Sequence, residues 1–205
     1  MTAKEHIAQR ALQMFSARGF KAVRMDDIAQ QLGVSKRSLY ELFGDKEGLL
    51  YEATIHYFEE IRRQQTALSA NAANVLEKLF ILLNDILEHS EQVGRMMNDL
   101  KRSYPAVHDR LTREGAARNR EELRGMLRRG IDEGLFIDNF NIDLAISVLY
   151  YTASTVTHHE LILPGEITER EAFLQIVSTF FRGISTAEGL RLVDRYRLRY
   201  ELREK

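Results

Sequence analysis

Cysteine is absent from the chain, which excludes a disulfide framework, a thiolate nucleophile and a zinc-thiolate site. That usage fits a reducing compartment, and the expected location is cytoplasmic. Proline is scarce too, with only Pro105 and Pro164. Strand-type alternation is lacking, so long helices meet few interruptions. No stretch reaches the roughly 18 uninterrupted apolar residues of a membrane-spanning helix. The first residues, MTAKEHIAQR, carry charges where a secretion signal would have an apolar centre. Neither secretion nor a membrane span is expected.

The marks of catalysis are missing as well. There is no phosphate loop, no dinucleotide fingerprint and no nucleophile elbow. No glutamate is followed three residues later by histidine, the spacing with which helical bundles hold paired metals. His158 and His159 are adjacent, and neighbours on a helix point about 100° apart, so they do not clamp one ion. No enzyme activity, metal or cofactor is expected.

What the chain does have is 44% hydrophobic residues, enough for a substantial core, and a net charge of −1 from 29 basic and 30 acidic side chains. The balance is uneven. Residues 1–50 carry 8 basic against 6 acidic residues, leaving 21 against 24 for residues 51–205. Such a modest N-terminal excess predicts docking on an anionic partner through a few local contacts, with a moderate salt dependence.

The most organised stretch is MDDIAQQLGVSKRSLYELFGDKEGLL, residues 25–50. Ile28, Ala29 and Leu32 share one side of a helix that Gly33 closes, and Val34 reads as a buried plug in the turn. Ser35 can accept a hydrogen bond from the amides opening the next helix. There Leu39 and Phe43 face inward, leaving Lys36, Arg37, Ser38, Tyr40 and Glu41 mainly outward. A short helix with cations, a hydroxyl and a phenol at its front can enter a major groove. Gly44 ends it, and Asp45 can cap a helix that starts at Lys46, where dipole and amides favour an anion. The same pattern also occurs as a solvated corner of a helical protein.

Residues 5–50 closely resemble the DNA-binding region of the TetR family of bacterial transcription regulators. The resemblance is carried by Ala11, Phe15, Gly19, Phe20, the run DDIAQQLGVSKRSLYELF, and Lys46, Glu47 and Leu49. It covers about the first quarter of the chain. It implies an all-α protein with an N-terminal three-helix DNA-binding domain containing the helix-turn-helix, residues 1–47, and a C-terminal helical ligand-binding and dimerisation domain, residues 48–205. The chain departs from the family where Thr or Ser usually precedes the second helix: Val23 and Arg24 stand there. Asp26 and Asp27 offset some of the missing cap, and Arg24 either reaches a phosphate or is simply exposed. The expected DNA contacts are Arg24, Lys36, Arg37, Ser38, Tyr40 and Lys46. Arg37 is the base reader, because its fork pairs with a guanine edge, while Lys36, Tyr40 and Lys46 hold phosphates.

A first helix is predicted over 3–17, with Ile7, Ala8, Ala11, Leu12 and Phe15 on one stripe. A linking helix runs from Lys46 to about Gln65, and TALSANAAN forms a loop. Helices follow over 72–89, 92–101, 104–133, 142–162, 169–184 and 187–203, with capping boxes Thr168/Glu171 and Ser185/Glu188. The last of them, with Leu190, Val193, Tyr196, Leu198 and Tyr200 among alternating charges, packs back on the body or on a partner copy behind a salt-bridged face.

Residues 143–162 and 169–184 carry more apolar residues than one core-facing stripe requires. The resemblance implies that this pair meets its twin in a homodimer, which would present two readers to a palindromic operator. It also implies a small-molecule cavity. Tyr57, Met96, Met97, Tyr104, Tyr150, Tyr151, Thr155 and His158, with Phe58 and Phe136, are the candidate lining, although each suits ordinary core packing too. Together they suggest an apolar or aromatic effector. The chain reads as a double-stranded-DNA-binding regulator, a repressor released by a ligand. The alternative is a helical dimeric protein-interaction module.

Overall fold

The computed structural model describes residues 2–157 and 167–201, and among them every regular element is a helix. The order is α1 (Ala3–Arg18), α2 (Met25–Leu32), α3 (Lys36–Phe43), α4 (Lys46–Leu68), α5 (Val75–Ser103), α6 (Pro105–Asp132), α7 (Ile142–Thr157), α8 (Glu169–Ile184) and α9 (Ala187–Glu201). No described helix is long and apolar enough to cross a membrane.

Three expectations are corrected. The segments 72–89 and 92–101 form one continuous helix, α5. Ser90 does not break it, because its hydroxyl donates to the Leu87 carbonyl at 2.8 Å and satisfies itself inside the helix. The expected loop TALSANAAN is shorter, since α4 runs on through Leu68. The cap of α9 is Thr186 rather than Ser185: Thr186 Oγ1 accepts the Gly189 amide at 3.2 Å, while Ser185 donates to the Phe181 carbonyl at 2.7 Å. Thr168 and Glu171 do form the expected box, with Glu171 N–H donating to Thr168 Oγ1 at 3.2 Å and Thr168 N–H to Glu171 Oε2 at 2.9 Å.

Two compact units emerge: Met1–Gln64 with Arg95–Ala116, and Gln65–Gly94 with Ala117–Lys205. The first is wider than a division after residue 47. The α1 stripe of Ile7, Ala8, Ala11, Leu12 and Phe15 packs with Phe20, Val23, Ile28, Leu39 and Phe43, as its spacing requires. Leu49, Leu50 and Ala53 of α4 join that core fully buried, and so do Leu100, Val107 and Leu111 from either side of the α5–α6 turn. Pro105, which lacks an amide to leave unpaired, opens α6 at that turn.

Asp99 ties the end of α5 to the connection between α1 and α2. Its Oδ2 accepts the Phe20 amide at 3.3 Å, and its Oδ1 takes Arg102 Nη2 at 3.0 Å. Burial raises the pKa of this carboxyl, but Arg102, the Phe20 amide and the Ser103 hydroxyl outweigh it, and the net shift is downward. A carboxylate whose folded pKa lies below its unfolded value stabilises the fold above that unfolded value, about 4. The contribution is lost as pH falls through the folded pKa. Asp99→Asn is expected to cost about 1.5 kcal/mol at neutral pH and to flatten the acid limb of the unfolding curve. Urea titrations at a series of pH values between neutral and strongly acid check this. An unchanged acid limb would remove Asp99 from the account.

The second unit is built on Phe80, Phe136, Phe173 and Phe181, with Leu76, Leu127 and Ile146 around them. Val193, Tyr196 and Tyr200 lay α9 on this core, and Tyr196 receives the Asn74 amide at 2.9 Å. Its outer charges pair as expected of a solvated face: Arg191 with Glu188, Arg182 with Asp194, and Arg199 with Glu77. Leu198 is exposed instead of packed.

Candidate nucleic-acid interface

Gly33 takes the left-handed conformation at φ +65°, open to a residue without a Cβ, and so ends α2 and turns the chain. The Val34 amide then returns to the Ala29 carbonyl at 3.1 Å. Val34 itself is half-buried rather than a fully enclosed plug. Ser35 Oγ accepts the Ser38 amide at 3.0 Å and fixes the start of α3. Asp45 Oδ1 accepts the Gly48 amide at 2.8 Å and does the same for α4. At the start of α2, Val23 is fully buried, and the Arg24 amide donates to Asp27 Oδ2 at 2.8 Å. One half of a capping box therefore stands where the Ser or Thr is missing.

Leu39 is fully buried and Phe43 nearly so, which sets the inward direction of α3. Tyr40 is 49% exposed on the other side. Lys36 Nζ lies 2.6 Å from Asp26 of α2, and Arg37 Nε lies 2.7 Å from Glu41 Oε1. The Ser38 hydroxyl shares a hydrogen bond with Ser35 Oγ at 2.8 Å. Arg24 is exposed. Lys46 differs from the other cations. Its ammonium sits over the Tyr104 ring, 5.3 Å from the centroid, 5.9 Å from that of Phe15, and 3.4 Å from the Lys21 carbonyl to which it donates. This lysine closes the joint between α4, α1 and the α5–α6 turn.

The candidate ligand residues separate. Tyr57, Met96, Met97 and Tyr104 are partly buried against the core of the first unit, and burial raises the pKa of the Tyr57 phenol. Tyr57 and Phe58 pack with ring centroids 5.7 Å apart. Tyr150 and Tyr151 are exposed on α7 as an edge-to-face pair at 5.9 Å. Phe136 is a core residue stacked on Phe181 at 6.0 Å. It also borders an open groove of about 360 Å³ with Ile131, Ile137, Asp138, Asn139 and Thr186. His158 and the side chain of Thr155 lie outside the described residues. Among the described residues no cluster of metal-ligating side chains occurs.

Sequence reasoning placed Glu41 on the outward face of α3 without giving it a contact, and it did not single out Asp99. Helical spacing from Leu39 and Phe43 was the available signal for Glu41. Asp99 had none, because its partner Phe20 is 79 residues away in the chain.

A capped turn, a short helix with a polar outward face and a three-helix support define a helix-turn-helix DNA-binding protein. The family model for bacterial regulatory proteins of the tetR family matches residues 7–53, the stretch that builds this geometry. The HTH-type transcriptional repressor KstR2 of Mycobacterium tuberculosis is 25% identical to the chain, with 90% of this chain and 93% of that protein covered. Two solved structures share the fold. One is a TetR-family transcriptional regulator from Pectobacterium atrosepticum, at a TM-score of 0.68 and 21% identity, with 89% of this chain and 94% of that chain covered. The other is a putative transcriptional regulator from Saccharomonospora viridis in complex with choline, at 0.66 and 20%, with 90% and 98% covered. Residues 7–53 thus match the DNA-binding region of the TetR family, and over nine-tenths of its length the chain is similar to HTH-type transcriptional regulators.

Proposed function

We propose that the chain is a homodimeric repressor acting in the cytoplasm, which holds a palindromic operator and releases it when a small apolar or aromatic effector binds. The outward polar face of α3 carries this reading, since a helix of that kind, capped at its front, suits the major groove. The repressor named among the relatives supports the direction of control, and the choline complex of a structural neighbour supports a small-molecule effector. A twin is supported by α7, where Leu144 (64% exposed), Val148 and Tyr151 (69% exposed) leave an apolar strip uncovered.

The route to release runs through the α5–α6 turn. Leu100, Val107 and Leu111 are buried in the reader's own core, so a displacement of this turn carries α3 with it. An effector achieves that only if it binds the non-DNA form more tightly, since equal affinity for both forms shifts nothing. Tyr57, Met96, Met97 and Tyr104, packed against the same core, remain the first residues to substitute in a ligand screen.

Selection of a random duplex library on the purified protein is expected to return a two-fold symmetric motif. A folded dimer that enriches none, with and without metabolite extract, would favour the interaction module instead. In the same assay Arg37→Ala is expected to relax one position of each half-site, losing about 10- to 100-fold in discrimination there. Lys46→Ala, which removes the ammonium held over Tyr104 and Phe15, is expected to loosen the support of α3 and so to weaken specific and random duplexes alike. Equal losses on both kinds of DNA for both variants would sink this division of labour.

A further inference from the structure

Leu39 and Phe43 point α3 inward, and at about 100° per residue Arg37 and Glu41 fall opposite them, at the centre of the outward face. Tyr40 flanks that centre on one side and Ser38 on the other. Exposure agrees, with side chains 88% accessible for Arg37 and 61% for Glu41. Docking α3 in a groove therefore brings a carboxylate between two walls of phosphates, where an unneutralised acid is repelled. Glu41 Oε1 instead accepts Arg37 Nε–H at 2.7 Å. That bond occupies the inner nitrogen of the guanidinium and leaves both terminal Nη groups as a fork.

We propose that Glu41 is a specificity-determining positioning residue, acting through Arg37; this rests on the DNA-reading function above. An unrestrained arginine in a groove falls onto the nearest phosphate, and phosphates are the same in every sequence. With Glu41 in place, phosphate capture has to break the ion pair and carry a second negative charge toward the backbone. A guanine edge takes the Nη fork while the pair stays intact. Glu41 thus weakens binding to random DNA and spares binding to the operator. Lys36 has no comparable restraint on direction, because its paired ammonium is a point charge without a fork.

The test compares the unaltered chain, Glu41→Gln, Arg37→Ala and the double variant. Each is titrated on the selected motif and on random duplex over a range of salt. Glu41→Gln is expected to bind random DNA about tenfold tighter, to discriminate about tenfold less and to depend more steeply on salt. In the Arg37→Ala background the same change is expected to leave discrimination where it was. Glu41 is exposed, so these shifts occur without a change in unfolding midpoint. Discrimination unmoved by Glu41→Gln, with the motif of the unaltered chain intact, overturns the proposal. An equal loss in both backgrounds also overturns it, since Glu41 would then touch DNA by itself. An unaltered chain that selects no motif overturns the DNA-reading function, and this inference with it.

Discussion

Gly48→Ala is expected to cost the reader about 3 kcal/mol of stability, at the upper end for an overpacked site, and to abolish operator binding at ordinary temperatures. Helix propensity argues the other way, because alanine is favoured over glycine inside a helix by about 1 kcal/mol. Geometry decides between them. A Cβ on Gly48 would stand 2.0 Å from the carbonyl oxygen of Phe43 and 3.2 Å from its carbon. Both are backbone atoms at the end of α3, so no side chain can rotate away and the recognition helix itself must shift. Gly115→Ala in α6 is the control, since its Cβ would meet nothing within 4 Å. That variant is expected to gain about 0.5–1 kcal/mol. Urea unfolding of both, with operator titration of the surviving fold, gives opposite signs on this account. Gains at both positions would mean that α3 and α4 do not approach so closely.

Phe181→Ala is expected to destabilise the second unit by about 3–5 kcal/mol, the range for truncating a buried phenylalanine. Phe181 is fully buried and lies at a crossing of rings. Phe136 stacks on it at 6.0 Å, Phe80 tilts against it at 6.1 Å, and Phe180 meets it edge-on at 5.4 Å. Truncation leaves these neighbours facing a void that aromatic rings fill poorly. Phe181→Leu keeps much of the volume and is expected to cost nearer 1.5 kcal/mol. Because α8 packs on α7, loss of this core should also weaken the proposed twofold contact. Sedimentation at dilute concentration is expected to show more monomer for Phe181→Ala than for Phe181→Leu. Equal unfolding midpoints for the two variants would show that the site collapses without a cavity.

The signals that could be read along the chain act over one turn. Gly33, Ser35 and Asp45 each act on residues no more than four positions away, and the structure has them ending or capping helices as their chemistry requires. The inward stripe of α1 and the Leu39/Phe43 pair are similarly local, because a helix repeats its faces every few residues. Errors arose where two local signals competed. The break expected between residues 89 and 92 is bridged, with Ser90 bonded inside its own helix, and Ser185 looked like a cap one residue before Thr186 took the role. The direction of Lys46 could not be read at all. A lysine at a helix start suits an anion, yet here two aromatic rings and a carbonyl hold the ammonium.

By itself the sequence determined the helical class, the reader and its caps, because hydrophobic period and capping chemistry are settled within a few residues. Only the tertiary structure decided that residues 95–116 complete the reader's core, and that Tyr104 and Asp99 brace it. It also decided that Leu144, Val148 and Tyr151 stand exposed on α7. Those outcomes depend on which distant surfaces meet, and burial of apolar area, which has no direction of its own, selects among many such meetings only once the whole chain has folded.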